Sequence, residues 1–455
     1  MGANLNGESC MSALMWIHES KIPNKAAILN AAVVSTVDRD GNEVRVSLAE
    51  EVGDYIVTAK HLFSDWSDKI GPYETPSLLF EDAGFVNHEH IVPWSPAQKK
   101  AWEAFSAQEN GVLNLACGKG KTVLALKKIA QRNVPALVLV NNTALLNQWI
   151  RRATDEKFLN LPRSSVGVVQ GPKGQWDRPL VIAMIQTACN RIPDLSFEVR
   201  SRFGTIIWDE AHRLAAPKFV QTASVFYGAR FGLTATPERA DGREGIYMAH
   251  IGKTFYTDLE TDMPARTFFK RLPVSVNMSD RRILDVRGEF SRGKYHIFLS
   301  EMRNRNRAIL HEVATALKGG RRVIVLCHAA QHPGILGDMA KADKRFDGYD
   351  IGLIEQKTKG PERLDVLDRC NPIFSSFEIA KEGLDAPSLD TLYFASPFKT
   401  WIGFQQGKGR VERFHPDKKD PIVVYFEDTG SPVSKAMCNF IRGEMRARGL
   451  TYKTI

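Results

Sequence analysis

Long apolar runs, clustered cysteines, low-complexity segments and a basic leader are all missing from this 455-residue sequence. No stretch approaches the roughly 18–20 apolar residues a membrane helix needs, so no membrane span is expected. The nearest contender, Ala26–Val37, is interrupted by Asn30 and Ser35 and reads as a strand. Glu8 comes early and no basic residues precede an apolar stretch, so no secretory signal is expected. The six cysteines (Cys10, Cys117, Cys189, Cys327, Cys370 and Cys438) lie far apart, with no CxxC and no histidine at ligand spacing. That argues against a structural zinc site and fits scattered free thiols in a reducing compartment.

What is present is an ordinary globular composition, 43% apolar and 25% charged, long enough for two or three domains. The net charge of +9 is unevenly spread. Residues 1–95 hold 6 Lys/Arg against 14 Asp/Glu, a net of −8, which leaves +17 on the remaining 360. A basic body suits a polyanionic partner, because each neutralised phosphate releases counterions. The acidic leading segment reads as a separate unit whose average surface repels a phosphate backbone.

That segment, residues 1–92, reads as a small mixed α+β accessory domain, with a short helix over Met11–His18. Ala31–Val37 and Glu43–Leu48 alternate as strands around Asp40-Gly41, a hairpin signal. From residue 93 the texture changes. A helix over Gln98–Ala107 precedes apolar strands at Val112–Leu115, Ala136–Val140, Leu180–Met184, Thr205–Trp208 and Phe231–Leu233, with a helix at Thr122–Ala130 and helical stretches between them. Short apolar strands alternating with helices predict a parallel α/β sheet. The rhythm lapses through Pro264–Tyr295, so residues 263–300 read as an irregular linker. It resumes with strands at Arg322–Leu326, Ile351–Ile354, Ile373–Ser375, Thr391–Ala395 and Ile422–Phe426. The expected fold is therefore α/β, with parallel-sheet lobes over 93–262 and 301–455.

The strongest local signal is Leu113-Asn114-Leu115-Ala116-Cys117-Gly118-Lys119-Gly120-Lys121-Thr122. A phosphate loop needs small residues so that successive backbone N–H groups reach the phosphates. It also needs a lysine for the β/γ oxygens and a hydroxyl for Mg²⁺, all at a helix N-terminus. Residues 116–122 supply these, although Leu115 stands where the usual first glycine would be. About ninety residues later, Ile206-Ile207-Trp208 ends in Asp209-Glu210-Ala211-His212. Phosphoryl transfer needs one acid to hold Mg²⁺, partly through water, and one to orient the attacking water. Asp209 suits the first role and Glu210 the second. Taken singly, each segment could be a chance turn or an exposed acid pair; their joint order argues against both.

Asp209-Glu210-Ala211-His212, followed by Gly232-Leu233-Thr234-Ala235-Thr236-Pro237 and Asp241-Gly242, resembles motifs II and III of superfamily 2 helicases. The Leu-Thr-Ala-Thr-Pro form is similar to the XPB, RecG and phage UvsW branch. Phe374–Pro387 resembles motif V and Gln406–Arg413 resembles motif VI. The resemblance covers residues 94–430 and implies two tandem RecA-like lobes, ATP and Mg²⁺ as cofactors, and a cytoplasmic setting. It implies catalytic roles for Lys121, Asp209, Glu210, Arg410 and Arg413, with Gly383, Asp385 and Gln406 also at the nucleotide. Arg410 and Arg413 lie about one helical turn apart, so both can face a cleft and stabilise charge on the γ-phosphate. Gln98 is similar to the glutamine that reads the adenine edge, with Trp94 or Phe85 a candidate stacking face and core packing the blander role for either. His212, Thr234 and Thr236 would couple hydrolysis to movement.

For the nucleic-acid strand the resemblance implies contacts from Asn142, Thr143, Gln186, Thr187, His328 and Ser376, with ordinary loop capping the rival role for each. The linker and the start of the second lobe carry Arg281, Arg282, Arg287, Arg292, Lys294, Arg303, Arg305 and Arg307, with Phe290 and Tyr295 among them. The linker reads first as a solvated basic tether, with a strand-holding or fork-splitting segment as the alternative. The expected function is an ATP-dependent DNA helicase or translocase, acting as a monomer on single-strand, forked or branched DNA in replication, recombination or repair. The compact form looks most like phage recombination helicases. The rival readings are a double-strand DNA translocase, an RNA helicase, a P-loop kinase or metabolic ATPase, and a silent binding module. The acidic domain would select substrate structure or bind a protein partner.

Overall fold

The computed structural model describes residues 14–37, 43–62, 80–93, 95–116, 118–235, 243–261, 263–355, 358, 360–378, 386–413, 415 and 417–455. The chain divides into two compact units, residues 1–259 and 260–455.

The first unit opens with a three-stranded antiparallel sheet, β1 (Leu14–His18), β5 (Tyr55–Ala59) and β4 (Ala49–Val52), in that spatial order. The helix expected over Met11–His18 is replaced, in its described part, by β1. Met15 and Ile17 alternate inward there, a two-residue period that suits a strand. The strand expected over Ala26–Val37 begins instead as helix Lys25–Ala31. Asn24 caps it by accepting from the Ala27 N–H at 3.0 Å, so only Val33–Val37 remains as β2. β2 pairs antiparallel with β3 (Glu43–Ser47), as the alternating pattern predicts; the turn Asp40-Gly41 lies outside the described residues.

The main sheet of this unit holds β6 (Gly111–Leu115), β7 (Ala136–Val140), β8 (Val166–Gln170), β9 (Lys173–Gly174), β10 (Leu180–Met184), β11 (Thr205–Asp209), β12 (Ala229–Thr234) and β13 (Thr254–Asp258). The order is β13-β6-β12-β11-β7-β10-β8-β9, parallel throughout except the short β8–β9 pair. Strands buried on both faces read as continuous apolar runs, which is why they were legible. Along β7, Ala136, Val138 and Val140 enter one core while Leu137 and Leu139 enter the core on the other face. The expected accessory domain is not detached: Val34, Val46 and Leu48 pack against the second of these cores, and Phe85 and Ile91 belong to the first.

The second unit is a seven-stranded parallel sheet, ordered β16-β17-β15-β18-β19-β14-β20. Its strands are β14 (Arg266–Ser275), β15 (Val323–Cys327), β16 (Gly352–Ile354), β17 (Ile373–Ser376), β18 (Thr391–Phe394), β19 (Ile422–Gly430) and β20 (Tyr452–Thr454). The irregular linker expected over 263–300 is not irregular. Its first part is β14, inserted between β19 and β20, with Phe269 and Leu272 turned into the two cores of this sheet. Its last part is helix Arg292–Glu301, which helps to enclose a small core of Val276, Ile283, Tyr295, Phe298 and Leu299. Polar residues on the exposed side of both elements hid the apolar period. No helix among the described residues is long and apolar enough to cross a membrane.

Candidate active site

Parallel strands bring the carboxyl ends of β6, β12, β11, β7 and β10 to one edge of the first sheet, where α/β sheets hold their ligands. β6 runs into the glycine-rich loop expected to bind phosphate and then into helix Lys121–Arg132. Gly118 and Gly120 take φ of 89° and 79°, conformations that cost most other residues energy, so both glycines are required by the backbone. Gly120 caps the helix without a side chain, leaving the first-turn N–H groups for solvent or an anion. Lys121 Nζ lies across the loop, donating to the Leu115 carbonyl at 2.9 Å and the Ala116 carbonyl at 3.5 Å. Lys119 turns aside to pair with Asp258 at 2.5 Å, and the Asp258 carbonyl accepts from Ala116 N–H at 2.9 Å. The end of β13 therefore braces the loop. Thr122 occupies the first helical turn; Cys117 lies outside the described residues.

Asp209 ends β11 and is nearly buried. Its Oδ2 accepts from Trp149 Nε1 at 2.8 Å, and its Oδ1 accepts from the Glu210 N–H at 3.1 Å. Burial, reinforced by the adjacent Glu210 charge, raises its carboxyl above the ordinary range; the Trp149 bond and Lys121 oppose that rise. Such a carboxylate is short of positive charge and suits a divalent cation. Glu210 has φ 56° and ψ 54°, a left-handed backbone that costs a non-glycine residue about 1–3 kcal/mol. Its carboxylate stands 3.4 Å from His212 Nδ1, which is also 3.2 Å from Thr234 Oγ1 at the end of β12. One ring nitrogen thus faces both the acid and the neighbouring strand. Thr236, Pro237, Asp241 and Gly242 lie outside the described residues.

Among the described residues no group of three or more His, Cys, Asp or Glu side chains forms a ready-made metal cage. That fits magnesium, which keeps several waters and is held by one or two carboxylates together with substrate phosphates. Asp209, at the end of β11, and Thr122, in the first turn of helix Lys121–Arg132, are the groups the sequence offers for it.

Gln98 is buried in the first turn of helix Pro96–Ser106, where Ser95 Oγ accepts from its backbone N–H at 3.2 Å. An open cleft of about 570 Å³ lies against the phosphate-loop helix, lined by His90, Val92, Val123, Phe158 and Asn160 among others. Phe85 is part of the core, and Trp94 lies outside the described residues.

Four of the residues proposed for the strand, Asn142, Thr143, Gln186 and Thr187, follow strands of this sheet at the same edge. Asn142 caps helix Thr143–Thr154 by accepting from Leu145 N–H at 2.8 Å, and Thr143 Oγ1 accepts from Gln170 Nε2 at 2.8 Å. Gln186 Nε2 donates to the Asn141 carbonyl at 3.2 Å, and Thr187 Oγ1 accepts from Gly171 N–H at 3.3 Å. The Asn141 Oδ1 and Gln186 Oε1 atoms find no partner among the described residues. The capping roles weighed from sequence are thus present, and they hold a row of amides at the ends of β7, β10 and β8.

In the second unit, Gln406 and Arg410 lie on helix Trp401–Val411, and Arg413 follows its end. Lys418 Nζ donates to the carbonyls of Val411 (2.7 Å), Pro387 (3.2 Å) and Arg413, which fixes the chain that carries both arginines. Burial pushes Lys418 down to about 8. Sequence reasoning did not find this lysine, which stands outside any motif. Ser376 is buried at the end of β17. The His328 ring sits against His296, Phe377 and Phe398 at centroid distances of 4.7, 4.6 and 5.1 Å, inside an aromatic cluster. Gly383 and Asp385 lie outside the described residues.

Residues 91–239 match the family described as Type III restriction enzyme, res subunit. A putative ATP-dependent RNA helicase of Acanthamoeba polyphaga mimivirus is 26% identical over 381 residues, which is 81% of this chain and 69% of that one. A DNA 3'-5' translocase XPB2 of Sulfurisphaera tokodaii is 24% identical over 80% of this chain and 91% of its own. Two bacterial XPB helicases match along only 35% and 38% of their length. Among solved structures, S. cerevisiae Dbp5 bound to RNA and ADP BeF3 superposes with a TM-score of 0.52, at 12% identity, over 81% of this chain and 95% of that one, a likeness of fold. The phosphate loop, the acid pair and these similarities together mark the chain as an ATP-hydrolysing helicase built on two RecA-like lobes.

Proposed function

We propose that the chain is an ATP- and Mg²⁺-dependent DNA motor that unwinds or remodels forked and branched DNA in replication, recombination or repair. One connection carries the reading. Helix Thr143–Thr154 begins at the amide row that would grip a strand, and its Trp149 holds Asp209, the acid that would hold Mg²⁺. Strand engagement and nucleotide chemistry then share one rigid element. Lys121 would meet the β/γ-phosphates and Glu210 would orient the attacking water, with His212 relaying its position to Thr234. Arg410 and Arg413 are assigned the stabilisation of γ-phosphate charge, with Gln98, Gly383, Asp385 and Gln406 completing nucleotide recognition. Asn142, Thr143, Gln186, Thr187, His328 and Ser376 are assigned to the strand, and the acidic leading segment to substrate choice or a protein partner.

An RNA substrate is the second reading, favoured by the mimivirus relative, whose name specifies RNA. The deciding experiment measures ATP hydrolysis against single-strand, duplex, forked and four-way DNA and the matched RNAs. Strongest stimulation by forked or four-way DNA supports the first reading; stimulation by RNA alone replaces it with the second.

A further inference from the structure

Residues 280–297 of the second unit form a hydrogen-bonded turn with an apolar tip set in positive charge. Leu284 and Phe290 bridge antiparallel, and the Asp285 N–H donates to the Glu289 carbonyl at 2.7 Å. Asp285 Oδ1 then accepts from the N–H groups of Arg287 and Glu289 at 2.8 and 2.9 Å, fixing the turn from inside. The base is anchored as firmly. Ile283, Tyr295, Phe298 and Leu299 form a buried core, and Tyr295 and Ser431 hydroxyls meet at 2.7 Å. Tyr295, offered by its sequence as a stacking residue, is therefore structural. At the tip, by contrast, Val286 is 99% exposed, and Phe290 and Ile297 are 41% and 43% exposed. A turn so fully hydrogen-bonded gains nothing from displaying a bare valine to water.

The surrounding charge indicates what covers it. This segment carries Arg281, Arg282, Arg287, Arg292 and Lys294 against Asp280, Asp285 and Glu289. Asp280 is taken by Arg282 at 2.8 Å and Asp285 by the turn itself. Arg281, Arg287 and Arg292 are exposed and make no ion pair among the described residues. Cations flanking an exposed aromatic and an aliphatic tip match a phosphate backbone with an unstacked base beside it.

We propose that this turn is a strand-separating wedge. Val286 inserts at the junction of duplex and single strand, Phe290 takes the first unpaired base on its face, and Arg281, Arg287 and Arg292 hold the adjoining phosphates. The proposal rests on the reading of the chain as a nucleic-acid motor. Insertion of an apolar side chain between base steps, held by flanking cations, is a known way of unstacking a duplex.

The test uses the full chain with Val286→Ser, Phe290→Ala and the double variant. None disturbs the Asp285 turn, and circular dichroism checks the fold. ATP hydrolysis on single-stranded DNA is measured beside unwinding of a forked duplex. The expected result is hydrolysis within about twofold of the parent, with unwinding reduced about tenfold or more in the double variant, the scale of losing one stacked base. Equal unwinding by parent and double variant overturns the wedge while leaving the motor intact, as does a parent that hydrolyses ATP on DNA without separating strands. A parent with no nucleic-acid stimulation at all overturns the motor reading instead.

Discussion

Trp149 Nε1 lies 2.8 Å from Asp209 Oδ2, and this one bond ties helix Thr143–Thr154 to the acid proposed to hold magnesium. The indole is fully buried, so its N–H has no water to fall back on. Trp149→Phe keeps most of the packing and removes only the donor, leaving a buried carboxylate oxygen short of a partner at a cost of about 1–3 kcal/mol. The expected outcome is a fold that melts a few degrees lower and an ATPase that needs more Mg²⁺ for half-maximal turnover. It should also respond more weakly to added DNA. A purely structural tryptophan would lower the melting temperature without moving the Mg²⁺ titration.

Asp209 lowers the stability of the fold wherever its carboxyl is ionised. Burial and Glu210 raise its carboxyl above the value near 3.8 that it would have in the unfolded chain. The folded state therefore holds a proton more tightly than the unfolded state does. Stability from this residue is greatest at low pH and declines as pH climbs through the raised value. Asp209→Asn removes the charge and keeps an acceptor for Trp149. It should leave stability unchanged below the ordinary carboxylate range. Above Asp209's raised value the variant should be more stable than the parent by roughly 1–3 kcal/mol, while having lost turnover. The comparison is made by denaturant titration of the Mg²⁺-free protein across pH; a variant less stable at neutral pH contradicts the electrostatic account.

The catalytic assignments separate by what each residue touches. Glu210→Gln should bind Mg²⁺ and ATP about as well as the parent but turn over at least ~100-fold more slowly, as for loss of a general base. Lys121→Ala should weaken both binding and turnover. Arg410→Ala and Arg413→Ala should each cut turnover by roughly 10³-fold or more with nucleotide affinity little changed. Fluorescent-nucleotide binding beside steady-state hydrolysis resolves the three patterns. Near-normal hydrolysis in Glu210→Gln removes that residue from the proposed role.

Much of this was legible in the sequence for a definable reason. The strands of both sheets are buried on two faces, so apolar runs such as Ala136–Val140 and Val323–Cys327 announce themselves. The phosphate loop and the acid pair are local, and local motifs survive in one dimension. β14 escapes a reading of the sequence because its exposed Arg266 and Arg271 interrupt the apolar pattern, and its partners lie about 150 residues away. The contacts of Trp149 and Lys418 escape it because they join segments separated in the chain. Helix Lys25–Ala31 is hidden because its start depends on a cap at Asn24, which composition alone does not reveal.

Packing in the first unit decides where the acidic leading segment can be cut. The accessory domain expected over residues 1–92 does not end cleanly there, because Phe85 and Ile91 lie in the core of the first unit. Lys127 Nζ also donates to the carbonyls of His88 and Ile91 at 2.8 and 2.9 Å. Deletion of residues 1–92 should therefore unfold part of that core, whereas deletion of 1–79 should spare it. The shorter deletion still uncovers the surface under Val34, Val46 and Leu48, so a melting temperature lowered by a few degrees is expected. It also removes net negative charge, since residues 1–79 hold 6 Lys/Arg against 11 Asp/Glu. Binding to plain single strands should stay the same or tighten at low salt, with the slope of log affinity against log salt unchanged, because that slope counts phosphates held by the basic body. Discrimination between forks, junctions and simple duplexes should fall. Salt titrations on a fork and on a single strand, for the full chain and the 1–79 deletion, check this. If the deletion weakens binding to both and flattens the slope, the leading segment grips phosphates itself, and its average charge conceals a basic face.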